Sequence, residues 1–80
     1  MSKIKRFLSK LDRQDRYVAE DLIELVLLGR TEHLNVKKLK GYENYFRVRS
    51  GNIRIVYEII SGEIVLKYVG YKNDNTYKNL

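Results

Sequence analysis

The chain has 80 residues, with 16 Lys or Arg against 10 Asp or Glu, one histidine, and neither cysteine nor proline. A chain of this length is expected to form a single domain over residues 1–80, with no room for a separate substrate or cofactor domain. Without cysteine and with one histidine, it cannot build a disulfide scaffold or a Cys/His zinc site, and we expect neither a metal nor a cofactor.

No part of the sequence is typical of a targeting or membrane-spanning segment. Basic residues interrupt the apolar residues near the N-terminus, unlike the continuous apolar run of a signal peptide. The longest uninterrupted apolar stretch, residues 25–28, is far shorter than a membrane span. We therefore expect a soluble, cytoplasmic protein with no membrane partner.

The first 28 residues have the spacing of two amphipathic helices. Apolar residues at i, i+3, i+4 and i+7 predict a short helix over residues 2–11: Ile4, Phe7, Leu8 and Leu11. Asp12 is a typical N-cap residue for a second helix over residues 13–28, and Gly29 is a typical helix stop. The two segments predict a helical hairpin.

The rest of the chain has the pattern of a small sheet. Residues 30–40 are polar and aperiodic, which predicts a connector with about one helical turn. Alternating and β-branched residues then predict strands over residues 45–49, 53–60 and 63–71, separated by Gly-containing turns. We predict an α+β fold in which the helical hairpin packs on a three-stranded antiparallel meander.

Positive charge is concentrated in the sheet-forming half. Residues 1–36 carry a net charge of +1, whereas residues 37–80 carry +5. A concentrated excess favours a polyanionic partner such as nucleic acid.

The strand pattern predicts that three arginines converge on one area of the sheet: Arg47, Arg49 and Arg54. Arginine stays charged at any relevant pH, and its planar fork of donors matches phosphate oxygens. Nearby basic and aromatic residues suit RNA, whose unpaired bases stack on aromatic rings. Together with Arg47, these residues are the predicted RNA-binding set: Lys38, Lys40, Tyr45 and Tyr71. In the alternative interpretation, the tyrosines are half-buried strand residues and the arginines pair with Glu43 and Glu58.

The segment over residues 37–59, KKLKGYENYFRVRSGNIRIVYEI, resembles the RelE/ParE superfamily of bacterial toxins. The likeness extends through a third strand ending in Val69-Gly70 to a short basic tail containing Tyr77, and the helical hairpin fits the same architecture. Members of the superfamily commonly begin with an edge strand, for which this sequence leaves no residues. We expect that strand to be absent, leaving one sheet edge open for an antitoxin segment to pair with.

The resemblance implies a toxin that cleaves mRNA on the ribosome without a metal, and that is monomeric except when bound to its cognate antitoxin. In that reaction the 2′-hydroxyl attacks the adjacent phosphate and expels the 5′-oxygen. The resemblance implies that Arg54 stabilises the phosphate, that Arg47 and Arg49 bind and orient RNA, and that Lys72 and Tyr77 transfer protons. The predicted catalytic residues are Arg49, Arg54, Lys72 and Tyr77.

Two departures from the nuclease pattern leave a second function open. Arg49 stands where the best-known nucleases have a lysine, and arginine is effectively never deprotonated. Tyr71 lies where many of them have a histidine, while His33 lies in the connector, far in sequence from the arginines. The alternative is therefore a toxin that inhibits gyrase, as ParE proteins do, or a catalytically silent protein-binding member.

Overall fold

The computed structural model describes residues 3–71, which form a helical hairpin followed by an antiparallel sheet. The two helices are α1 (Lys3–Lys10) and α2 (Arg13–Leu27). The strands are β1 (Asn35–Lys38), β2 (Tyr45–Ser50), β3 (Ile53–Ile60) and β4 (Glu63–Tyr71), and they lie in the order β1-β2-β3-β4. The predicted α+β class is confirmed.

The sheet has four strands, so the prediction of a three-stranded meander was one strand short. Strand β1 lies within the connector for which we predicted a helical turn, and it pairs with β2 through its whole length. Val36 is its only apolar residue, and the other three residues are polar or charged. A short edge strand pairs with a neighbour on one side only, and one of its faces is exposed to solvent. Most of its residues are therefore polar or charged, and the hydrophobic alternation that would predict a strand is weak.

Helix α2 begins at the predicted cap. The Asp12 side chain accepts a hydrogen bond from the backbone N–H of Asp15 at 2.8 Å, which satisfies one of the free donors of the first turn. The β3–β4 turn is made by Ser61 and Gly62, with φ of 50° and 82°. Positive φ at both central residues is the geometry of a type I′ hairpin, whose twist matches that of the flanking strands.

The core lies between the helices and one face of the sheet. Helix α2 buries Ala19, Leu22 and Val26. The facing strands bury the following residues: Val48, Ile53, Ile55, Tyr57 and Val69. The predicted α1 stripe packs at the margin of this core, with Leu11 buried.

Strand β4 changes face at a β-bulge. Tyr57 pairs with Leu66, whereas Val56 pairs with Tyr68, so Lys67 is the extra residue of β4. A bulge shifts the alternation by one residue. As a result Val69 is buried in the core and Tyr68 lies on the opposite face, the reverse of what uninterrupted alternation along the strand predicts.

Strands β1 and β4 form the two edges of the sheet. Neither of the helices in residues 3–71 is long and apolar enough to cross a membrane.

Burial of Tyr57 predicts a loss of stability at alkaline pH. Desolvation raises the pKa of Tyr57 above its ordinary value of 10.0, and a hydrogen bond with Thr31 opposes this only partly. Because the folded-state pKa is the higher one, the stabilisation is complete below about pH 10 and is lost as the pH rises through the folded pKa. In urea unfolding at pH 9 and pH 11, the free energy of unfolding should fall less for Tyr57→Phe than for the unmodified chain. Equal losses in both proteins would contradict the assignment.

Candidate nucleic-acid interface

The sheet face turned away from the helices carries the three predicted arginines, and we call it the arginine face: Arg47, Arg49 and Arg54. Alternation places them there, because their neighbours Val48, Ile53 and Ile55 are fully buried toward the helices. The prediction that these arginines share one face is confirmed by the strand register.

Arg49 and Arg54 are direct cross-strand partners. Residues paired in this way have Cβ atoms about 5 Å apart, and like charges at that separation destabilise a sheet. Arg47 lies two residues from Arg49 on the same face of β2, where it pairs with Val56. Three guanidinium groups in so small an area can attract an anion, which would reduce the repulsion between them.

The arginines differ in exposure. Arg54 is only 7% exposed, while Arg47 and Arg49 are half-buried. A buried guanidinium is held in few conformations, and its attraction for an anion is less screened by solvent than that of a surface side chain. Arg54 thus has the environment of a fixed phosphate-binding group, with Arg49 as its more accessible neighbour.

Strand β1 adds a lysine that was not among the predicted RNA-binding residues. Lys37 pairs with Arg47 and so lies on the arginine face, whereas Lys38 pairs with Phe46 and lies on the face that carries the helices. Both lysines are exposed. The alternation of Asn35, Val36 and Lys37 places Lys37 on the face opposite Val36, but this is informative only if residues 35–38 form a strand.

Tyr45 lies on the same side of the sheet, at the end of the arginine face away from Arg54. Its ring is 5.5 Å from that of Tyr42, and the Nζ of Lys67 lies 5.9 Å from its ring centroid. Lys67 also forms an ion pair with Glu58 at 3.4 Å. The predicted RNA-binding Tyr45 is therefore part of an aromatic and charged cluster beside the arginines.

Of the remaining predicted residues, Tyr71 and Lys40 do not lie on the arginine face. Tyr71 pairs with Ile53 on the helix-side face, and its ring meets that of Phe7 edge-on at 5.3 Å. Lys40 lies in the exposed loop after β1, and His33 is exposed before β1. Lys72 and Tyr77 lie outside the described residues.

The arrangement can bind and neutralise a phosphate. Among residues 3–71 no group of three or more His, Cys, Asp or Glu side chains is placed to hold a metal ion. The side chains that converge are arginines, a lysine and tyrosines, which donate hydrogen bonds and carry or stack beside charge.

No family model matches the chain. A 36-residue stretch is 47% identical to toxin RelE3 of Methanocaldococcus jannaschii and spans 45% of this chain and 41% of that relative. The fold is similar to one chain in the crystal structure of the RelB-RelE antitoxin-toxin complex from Methanococcus jannaschii. That match has a TM-score of 0.73 and 27% sequence identity, and it covers 98% of this chain and 94% of that one.

The local sequence match and the nearly full-length structural match both lead to proteins described as RelE or as part of a RelB-RelE complex. The chain is therefore similar to a RelE toxin in sequence over 36 residues, and to one chain of a RelB-RelE complex in fold over nearly its whole length.

Proposed function

We propose that this chain is the toxin of a toxin-antitoxin pair and that its arginine face binds messenger RNA on the ribosome and promotes its cleavage. The observation that carries the proposal is the cross-strand pair of Arg49 and Arg54, with Arg47 beside it. Placing like charges opposite each other weakens a sheet. The arrangement is understandable if a polyanion occupies the face during function.

The proposed reaction is attack of the RNA 2′-oxygen on the adjacent phosphorus. A bond forms between the 2′-oxygen and phosphorus, the bond to the 5′-oxygen breaks, and the 2′ proton is removed while the departing 5′-oxygen gains one. Negative charge grows on the non-bridging oxygens as the bonds exchange, and fixed cationic donors stabilise it. Arg54 has this role in our proposal, while Arg49, Arg47 and Lys37 hold the flanking RNA backbone. Lys72 and Tyr77 are the proposed proton-transfer residues.

An antitoxin is the proposed protein partner, since the similar solved structure is an antitoxin-toxin complex. The chain has a net charge of +6, which favours an acidic partner. We expect the product of the adjacent reading frame to co-purify with this chain and to suppress RNA cleavage when added in equimolar amount. Titration calorimetry would measure the affinity, and absence of binding would contradict the assignment of that product as antitoxin.

Arg54→Ala is expected to lower cleavage of message on programmed ribosomes by about 10²- to 10³-fold, because a fixed donor to the developing charge is lost. Arg54→Lys retains the charge without the fork and should recover only part of the activity. Since Arg54 is buried, thermal unfolding of each variant establishes that it folds. Arg49→Ala alters a half-buried side chain and provides a second test.

Arg13→Ala is the matched control, because Arg13 is exposed on α2, in the helical layer behind the sheet. It removes the same charge and should leave cleavage unchanged. Intact message with the folded, unmodified protein would overturn the nuclease proposal. If the same protein inhibited supercoiling by purified gyrase, the gyrase-inhibiting alternative would replace it.

Lys37 and Lys38 provide a matched pair for testing which face binds RNA. Both are exposed neighbours on β1, but only Lys37 lies on the arginine face. Lys37→Ala should weaken binding to single-stranded RNA and reduce the slope of log K against log salt by about 0.7 for one lost phosphate contact. Lys38→Ala should leave the slope unchanged. Fluorescence anisotropy at several salt concentrations measures both, and equal effects would show that the arginine face is not the main contact.

A further inference from the structure

Gly70 has an unusual neighbour on the arginine face. It is the cross-strand partner of Arg54, on the flank opposite Arg49. A Cβ atom built on Gly70 would overlap the hydroxyl oxygen and Cζ of Tyr68. Real side chains do not approach so closely, so any residue other than glycine would displace the Tyr68 ring.

The Tyr68 ring therefore lies along β4 over Gly70, in the position that a side chain at residue 70 would occupy. Because Gly70 pairs with Arg54, this position is directly beside the Arg54 side chain, about 5 Å away across the strands. The hydroxyl oxygen of Tyr68 and Nε of Arg54 are both buried. An aromatic ring thus borders Arg54 on one flank, while Arg49 borders it on the other.

A second residue on this face is buried, and it is the cross-strand partner of Tyr68. Val56 pairs with Tyr68 on one side and with Arg47 on the other, and it is fully buried although it faces away from the helices. Tyr68 reaches this face because the bulge at Lys67 shifts the alternation of β4. The bulge, the glycine and the ring together make a wall beside Arg54.

We propose that Tyr68 is a positioning residue for Arg54, and that Gly70 is required because it leaves room for the Tyr68 ring. The inference rests on the proposed function for its catalytic consequence. Confinement between the ring and the neighbouring strand restricts the rotamers of Arg54 and directs its guanidinium to the phosphate. Preorganised donors stabilise developing charge without reorganising during the reaction.

The test is a double-mutant cycle on message cleavage by programmed ribosomes. Tyr68→Ala and Gly70→Ala should each lower kcat by about tenfold, in the range found for residues coupled through contact. KM should change little, because Arg47, Arg49 and Lys37 still hold the RNA backbone. Tyr68→Phe keeps the ring and should restore most of kcat.

The cycle separates a positioning role from general damage to the fold. Gly70→Ala acts through the ring in our proposal, so it should have no further effect in the Tyr68→Ala background. Tyr17→Ala is the control, because Tyr17 is 75% exposed on α2 and its removal should leave kcat unchanged. Independent, additive losses from Tyr68→Ala and Gly70→Ala would overturn the proposal.

A second measurement keeps the inference separate from the proposed activity. The Nε–H group of Arg54 can be followed by NMR in the free protein, where its burial predicts slow exchange with solvent. Exchange should be faster in Tyr68→Ala and in Gly70→Ala, and close to the original rate in Tyr68→Phe. Unchanged exchange in Tyr68→Ala would refute the positioning role, whereas loss of the proposed nuclease function would appear as intact message with unmodified protein.

Discussion

The register between β2 and β3 is the constraint on which the rest of the structure depends. Val48 pairs with Ile55, and both are fully buried against the helical layer that contains Leu22 and Val26. Moving the register by one residue would carry these apolar side chains to solvent and the arginines into the core. Burial of the apolar face therefore decides which residues meet on the opposite one, and it holds Arg49 and Arg54 opposite each other despite their like charge.

The arginine face is consequently held in place by the core behind it, while the arginines that pair across it have like charge. The apolar contacts of Ile53 and Ile55 with the helices supply the favourable free energy, and the repulsion among arginines subtracts from it. Functional sites commonly contain side chains whose placement lowers the stability of the fold. If the proposed function holds, a bound RNA would reduce this repulsion, and RNA binding and folding would then reinforce each other.

The β-bulge at Lys67 connects the two faces of the sheet. Before the bulge in β4, Leu66 packs toward the core, and after the bulge Val69 packs toward the core. The intervening shift brings Tyr68 to the arginine face, where the absence of a side chain at Gly70 leaves space for the ring. A feature that is local to one strand thus determines what borders Arg54, which lies on the neighbouring strand.

The sequence by itself determined the α+β class, both helices, three of the four strands and the common face of Arg47, Arg49 and Arg54, because these depend on periodicity, caps and turns within short segments. Only the tertiary structure showed β1, with Lys37 on the arginine face and Lys38 behind it, because an edge strand with one apolar residue is defined by pairing with β2. It also separated Tyr71 from the arginines and brought Tyr68 to them. The reason is physical: a bulge depends on how two strands pair, and the alternation of residues along one strand does not show its pairing with a neighbour.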